Sequence, residues 1–276
     1  MTQVDRDELW IAANKICADL NFAVDDLFLE LNRNGISRSS EKMGLVEAIC
    51  ALGHMNHLTN ISVELGRKFE SDLVAAMIMR SFLETWWNGT CLLLGDTGDY
   101  EAFIKNAIHW DKTHEDYIDQ QAESKPDLRE RFPRDPYLDL LRQSIGMTKT
   151  NGASQIFKNM VKRAETLLDE IGQNLDFSMY EIQYRRLSNL GGVHPTPNVL
   201  SRYASEPGKI YEFTRMPKIS DSSIDWALTR TFSLFDISCD YAQLICNEFK
   251  ISALRFSSIR GWVRGSVNFP GLESRS

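Results

Sequence analysis

One stretch limits what this chain can fold into more than any other. Leu73 to Leu94 reads LVAAMIMRSFLETWWNGTCLLL, an apolar segment with charged side chains set inside it. Wound as an α-helix, it aligns Arg80, Glu84 and Asn88 at i, i+4 and i+8 on one face. Leu, Ile, Met, Phe, Val and Trp surround that stripe, so the helix is expected to be buried nearly all round. A guanidinium and a carboxylate withdrawn from water need each other, because an unpaired buried charge destabilises by several kcal/mol. The spacing therefore predicts an Arg80–Glu84 ion pair in a dry interior.

At about 20 residues the same segment is long enough to be weighed as a membrane span. Its two central charges argue against that, each disfavouring insertion by roughly 2.5–3.5 kcal/mol. No second such segment exists in the 276 residues, and the opening MTQVDRDE is too charged for a secretory signal. The expectation is a soluble, cytoplasmic protein with no membrane partner. Cysteine usage agrees: five thiols (Cys17, Cys50, Cys91, Cys239, Cys246), no CxxC pair, and four of them in apolar helical patterns as buried free thiols. A net charge of −7 supplies no global basic field for nucleic acid, although a local site stays open.

The rest of the chain reads as helices, giving an all-α class and an irregular bundle of about five to seven helices. A first helix runs from an Asp5 cap to about Asn32, with Leu9, Ile16, Leu20, Leu27 and Leu31 as its stripe, and ends at Asn34-Gly35. A second runs from Glu41 to about Gly66 behind a Ser39 or Ser40 cap. The apolar helix follows from Ser71 or Asp72, and Asp99 caps a fourth to about Gln121. Further helices are expected around 137–144, from Ser154 to Ile171, from Ser178 to Leu190, and from Ser220 or Asp221 to Phe249. Lys209 to Phe213 alternates weakly as a short edge strand or nothing regular. One helical domain, 1–250, is the reading, with a candidate hinge in the proline-punctuated 125–136 segment and a loosely ordered tail, 251–276, rich in Ser, Gly and Arg.

A second cluster, YEIQYRRLSNLGGVHP, occupies Tyr180 to Pro195. Two glycines end a helix and His194 follows at once, held extended by Pro195. Near a helix C-terminus the dipole favours the protonated imidazole. A turn histidine that caps the preceding carbonyls is the plain alternative. Metal spacings fail. His54 and His57 lie at i, i+3 near Glu47 and Cys50, but Glu-x-x-His is absent there, and neither HExxH nor a zinc pattern occurs. His54 and His57 are expected to pack at a helix interface or to hydrogen-bond Glu84 or Tyr184. No GxSxG, SxxK, P-loop or GxGxxG is present. Trp86-Trp87 reads as core or as a pocket wall, and Arg129, Arg131 and Arg134 as solvated surface or a phosphate contact.

The pairing of Arg80-Ser81-Phe82-Leu83-Glu84 with Tyr184-x-x-Leu187-Ser188 before His194-Pro195 resembles an uncharacterised bacterial family, domain of unknown function 5677, over roughly residues 40 to 250. More distantly it resembles the helical HEPN ribonucleases of prokaryotic defence and toxin systems. Those set Arg, four to six residues, then His near a helix end, and complete one site from two chains. Here Arg186 precedes His194 with seven residues between, and Arg185 with eight. The resemblance implies a metal-independent endoribonuclease with RNA as partner, a homodimer and no cofactor. His194 would be its general acid or base, and Arg80 or Arg186 would stabilise charge on phosphorus, with Glu84 and Tyr184 beside them. The competing reading is a non-catalytic helical interaction module in which Arg80, Glu84, Tyr184 and His194 form a structural network. A carboxylate di-metal bundle is a third reading, for which the ligand spacing fails.

Overall fold

The computed structural model describes residues 3–36, 43–125, 127–133, 153–173, 184, 187, 202 and 219–266. Among them every regular element is a helix, as the patterning predicts. Eight helices follow in order: α1 (Gln3–Asn34), α2 (Leu45–Phe69), α3 (Asp72–Leu94), α4 (Thr97–Ala122), α5 (Asp127–Arg131), α6 (Ala153–Glu170), α7 (Asp221–Phe249) and α8 (Leu254–Ser266). The described helices alone exceed the expected five to seven. No described helix is long and apolar enough to cross a membrane. The described residues fall into two compact units, one drawn from Met1–Ser37, Ile49–Gly89 and Asp176–Ser276, the other from Arg38–Ala48 and Thr90–Leu175.

In the larger unit α1 turns Trp10, Ala13, Ile16, Leu20, Leu27 and Leu31 inward at helical spacing. It stops where Gly35 takes φ +65, a left-handed value glycine adopts without strain. Two glycines let helices approach closely. A Cβ at Gly66 would sit 2.6 Å from the Trp10 ring, and one at Gly89 2.5 Å from the Tyr241 hydroxyl. Polar groups also bridge α1 and α2. Asn21 and Asn60 exchange amide hydrogen bonds (2.8 and 2.9 Å), and Asn56 donates to Asn21 Oδ1 at 2.8 Å. Arg6 ties α1 to α7 through Asp225 (2.8 Å) and Asp221 (3.0 Å). α7 begins at the Ser220 cap and ends at Lys250 in the left-handed region.

The loose tail is corrected over Leu254–Ser266. Phe256, Ile259 and Val263 occur at i, i+3 and i+7, and all three are buried. Asp236 on α7 accepts from Arg260 Nε (3.0 Å) and Arg264 Nε (2.9 Å), and Arg260 also pairs with Asp240. The arginines read as disorder-promoting are the clamp that holds α8.

In the smaller unit the α4 cap is Asp96 rather than Asp99. Asp96 accepts from the Asp99 backbone, and the Asp99 side chain accepts from the Asp96 N–H at 3.0 Å, a reciprocal capping box. Asp99 also receives Arg163 of α6 at 3.1 Å. Met160, Val161, Ala164, Leu167 and Leu168 are the buried stripe of α6. Arg129 of α5 reaches Asp119 of α4 at 2.6 Å, so part of the proline-punctuated segment is a short helix tied to α4. The expected helices near 137–144 and over most of 178–190, and the strand at 209–213, lie outside the described residues, as does the Ser39/Ser40 cap. α2 opens at Leu45 after a turn at Met43 and Gly44, later than the expected Glu41.

Candidate functional site

α3 sets the candidate site. Its Asp72 end is anchored by Arg202, whose two amino groups meet the two Asp72 oxygens at 2.7 and 3.0 Å. This is the forked geometry that guanidinium and carboxylate favour. Asp72 reads in the sequence as a cap, and no local signal joins it to a residue 130 positions away.

Two turns along, Arg80 Nε donates to Glu84 Oε1 at 3.1 Å, as the i, i+4 spacing predicts. The same N–H lies 3.3 Å from the Tyr184 hydroxyl, which itself donates to Glu84 Oε1 at 2.5 Å. The three candidate residues thus close a triangle. The Arg80 guanidinium carbon stands 5.4 Å from the Tyr184 ring centroid. The ring also meets buried Trp87 edge-on, centroids 5.7 Å apart. Trp87 is therefore both core and the backing of the site.

The dry interior is corrected. The Arg80 side chain is 27% exposed and that of Glu84 37%, while Met77 and Ser81 beside them face outward. A charged stripe at helical spacing also suits the one face of a largely buried helix that reaches solvent. Periodicity alone does not separate these two cases.

Electrostatics assign the roles. Burial works to lower the Arg80 pKa, but Tyr184 and Glu84 outweigh it and raise it overall, so the guanidinium stays charged. Burial, then the hydrogen bond to Glu84, pushes the Tyr184 phenol well above its ordinary value. Tyr184 is thus a donor and a poor base. Arg80 uses only Nε in these bonds. Its two terminal amino groups carry no hydrogen bond among the described residues.

His194 and Arg186 lie outside the described residues, as do Arg185, Ser188 and Arg134. His54 and His57 are exposed on α2, which overturns the expected interface packing. Among the described residues no group of three His, Cys, Asp or Glu side chains is placed to hold a metal ion. Arg129 and Arg131 of the basic run pair with Asp119 and Asp127. Four thiols are buried, Cys91 and Cys239 being pushed up to about 12 chiefly by burial, and Cys50 is exposed. Comparison of the chain with family models, curated proteins and solved structures gives no match.

Proposed function

We propose that this chain is a HEPN-like, metal-independent endoribonuclease, a toxin-like defence effector of the cytoplasm that works as a homodimer. The observation that carries the reading is the way Arg80 is held at a partly exposed position. The guanidinium is fixed through Nε by Glu84 and Tyr184, and in the proposed complex its two terminal amino groups donate to two phosphate oxygens. A preorganised guanidinium of this kind stabilises the charge that builds on phosphorus as a ribose 2′-hydroxyl attacks. In the proposed reaction the 2′-oxygen bonds to phosphorus and the bond to the 5′-oxygen breaks. A base takes the 2′ proton and an acid returns one to the leaving oxygen, giving a 2′,3′-cyclic phosphate and a 5′-hydroxyl. His194, ten residues after Tyr184 in the sequence, is assigned to proton transfer, and Arg186 to a second phosphate contact.

A second reading rests on a different observation. The short Tyr184–Glu84 bond and the edge contact with Trp87 fasten residue 184 to α3, which is what a structural network in a non-catalytic interaction module requires.

The test is cleavage of single-stranded RNA in EDTA by the purified chain and by His194→Ala, Arg80→Ala and Arg80→Lys, with folding checked by circular dichroism. The nucleolytic reading expects activity in the native chain, loss in His194→Ala, and a drop of about 10²-fold in Arg80→Ala, typical of removing one charge-stabilising group. Intact RNA with every protein refutes it. Intact RNA together with a lowered melting midpoint in His194→Ala favours the module.

A further inference from the structure

α1 is apolar on two opposed sides, and one of them is exposed among the described residues. Opposite the buried stripe, Ile11, Lys15, Ala18, Phe22, Asp25 and Leu29 recur in alternating steps of four and three residues, and all six are exposed. Ile11 and Phe22 are each 66% exposed and Leu29 54%. The alternation is that of a coiled-coil seam, and at 1.5 Å per residue the seam is about 27 Å long. α8 borders it. Lys15 Nζ stands 4.2 Å from the Trp262 ring centroid, Arg255 pairs with Asp26, and Leu254 and Trp262 are themselves exposed. Five of the ten exposed large apolar side chains among the described residues therefore sit on these two helices. A concentration of that kind marks an interaction surface.

The order of residues along the seam says what covers it. Set a second α1 antiparallel, with a twofold axis at the level of Leu20. Ile11 then faces Leu29 of the other copy, Lys15 faces Asp25, and Ala18 faces Phe22. Apolar meets apolar, cation meets carboxylate, and the smallest side chain meets the largest, twice over by symmetry. A parallel copy would instead set Lys15 against Lys15 and Asp25 against Asp25. We propose that the outward face of α1 is an isologous dimer interface, its occupant a second copy of this chain in antiparallel register. The interface stands on this face alone, whether or not the protein cleaves RNA.

Sedimentation equilibrium of the full chain over a concentration series tests it, with circular dichroism confirming that each variant stays folded. The native chain is expected at twice the 31.6 kDa chain mass, and Phe22→Asp and Leu29→Lys at the single mass. Lys15→Glu or Asp25→Lys alone makes two like-charge encounters per dimer and is expected to raise the dissociation constant about tenfold. The double swap restores the opposite-charge pairing and is expected to recover affinity to within about threefold of the native chain. A native chain monomeric throughout, a dimer indifferent to Phe22→Asp, or a double swap no tighter than the single swaps would each overturn the proposal.

Discussion

Glu84→Ala is the sharpest test of how the α3 cluster is held. Two interactions end on the same oxygen. The Arg80 pair, at 3.1 Å with side chains 27% and 37% exposed, is screened by solvent and contributes about 0.2–1 kcal/mol. The Tyr184 hydroxyl donates to that oxygen at 2.5 Å, and a hydrogen bond to a charged acceptor contributes about 1.5–3 kcal/mol. Glu84→Ala removes both, so about 2–3 kcal/mol should be lost. Arg80→Ala removes the screened pair, the 3.3 Å contact and the guanidinium over the Tyr184 ring, for about 1 kcal/mol. Tyr184→Phe keeps the ring against Trp87 and falls between, near 1.5 kcal/mol. Urea unfolding at pH 7 with a shared m-value measures the order, and the Tyr184→Phe/Glu84→Ala cycle should give a coupling of about 1.5 kcal/mol. An Arg80→Ala loss of about 3–5 kcal/mol, the figure for a sealed ion pair, would refute the reasoning. So would a Glu84→Ala midpoint equal to that of the native chain.

Gly89→Ala should destabilise by about 1–3 kcal/mol in thermal melts, because the added methyl meets the Tyr241 hydroxyl at 2.5 Å and Ala51 at 3.0 Å; an alanine that stabilises as its helix propensity alone predicts would show that the helices move apart freely. Glu165 is pushed up to about 7 by burial and then by Asp169, so its carboxylate is disfavoured in the folded protein and native stability should fall as pH rises from about 4.5 to about 7. Glu165→Gln should accordingly gain up to about 1 kcal/mol at pH 8 after allowance for solvent screening, and nothing at pH 4, in paired urea titrations. In the native state a thiol-reactive aromatic disulfide should modify Cys50 rapidly and Cys17, Cys91, Cys239 and Cys246 only on unfolding, since burial lifts the last four thiols to about 11–12.

The helices were readable in the sequence where punctuation was local. Gly35 closes α1, Ser220 opens α7, and the α6 stripe around Val161 and Leu168 shows its period plainly. Arg80 and Glu84 met because one turn of helix compels it. Three features stayed hidden for physical reasons. The tail carries Phe256, Ile259 and Val263 at the right intervals, but Ser, Gly and Arg dilute them, and the arginines gain meaning only once α7 presents Asp236 and Asp240. The solvent access of the Arg80 stripe depends on which face of α3 the other helices leave uncovered, a tertiary fact. The Asp72–Arg202 fork joins distant parts of the chain, and nothing nearby in sequence announces it.

The amides of Asn21, Asn56 and Asn60 carry a consequence for how the first two helices find each other. Leucine and methionine pack tolerably at several offsets, so an all-aliphatic contact between α1 and α2 would have near-degenerate longitudinal alignments. Reciprocal donors and acceptors match at one offset only, since a slip of one turn brings Leu52 or Glu64 into a position that requires an amide. The trio works as a vernier, trading some apolar contact for a pair of rods that lock at a single graduation.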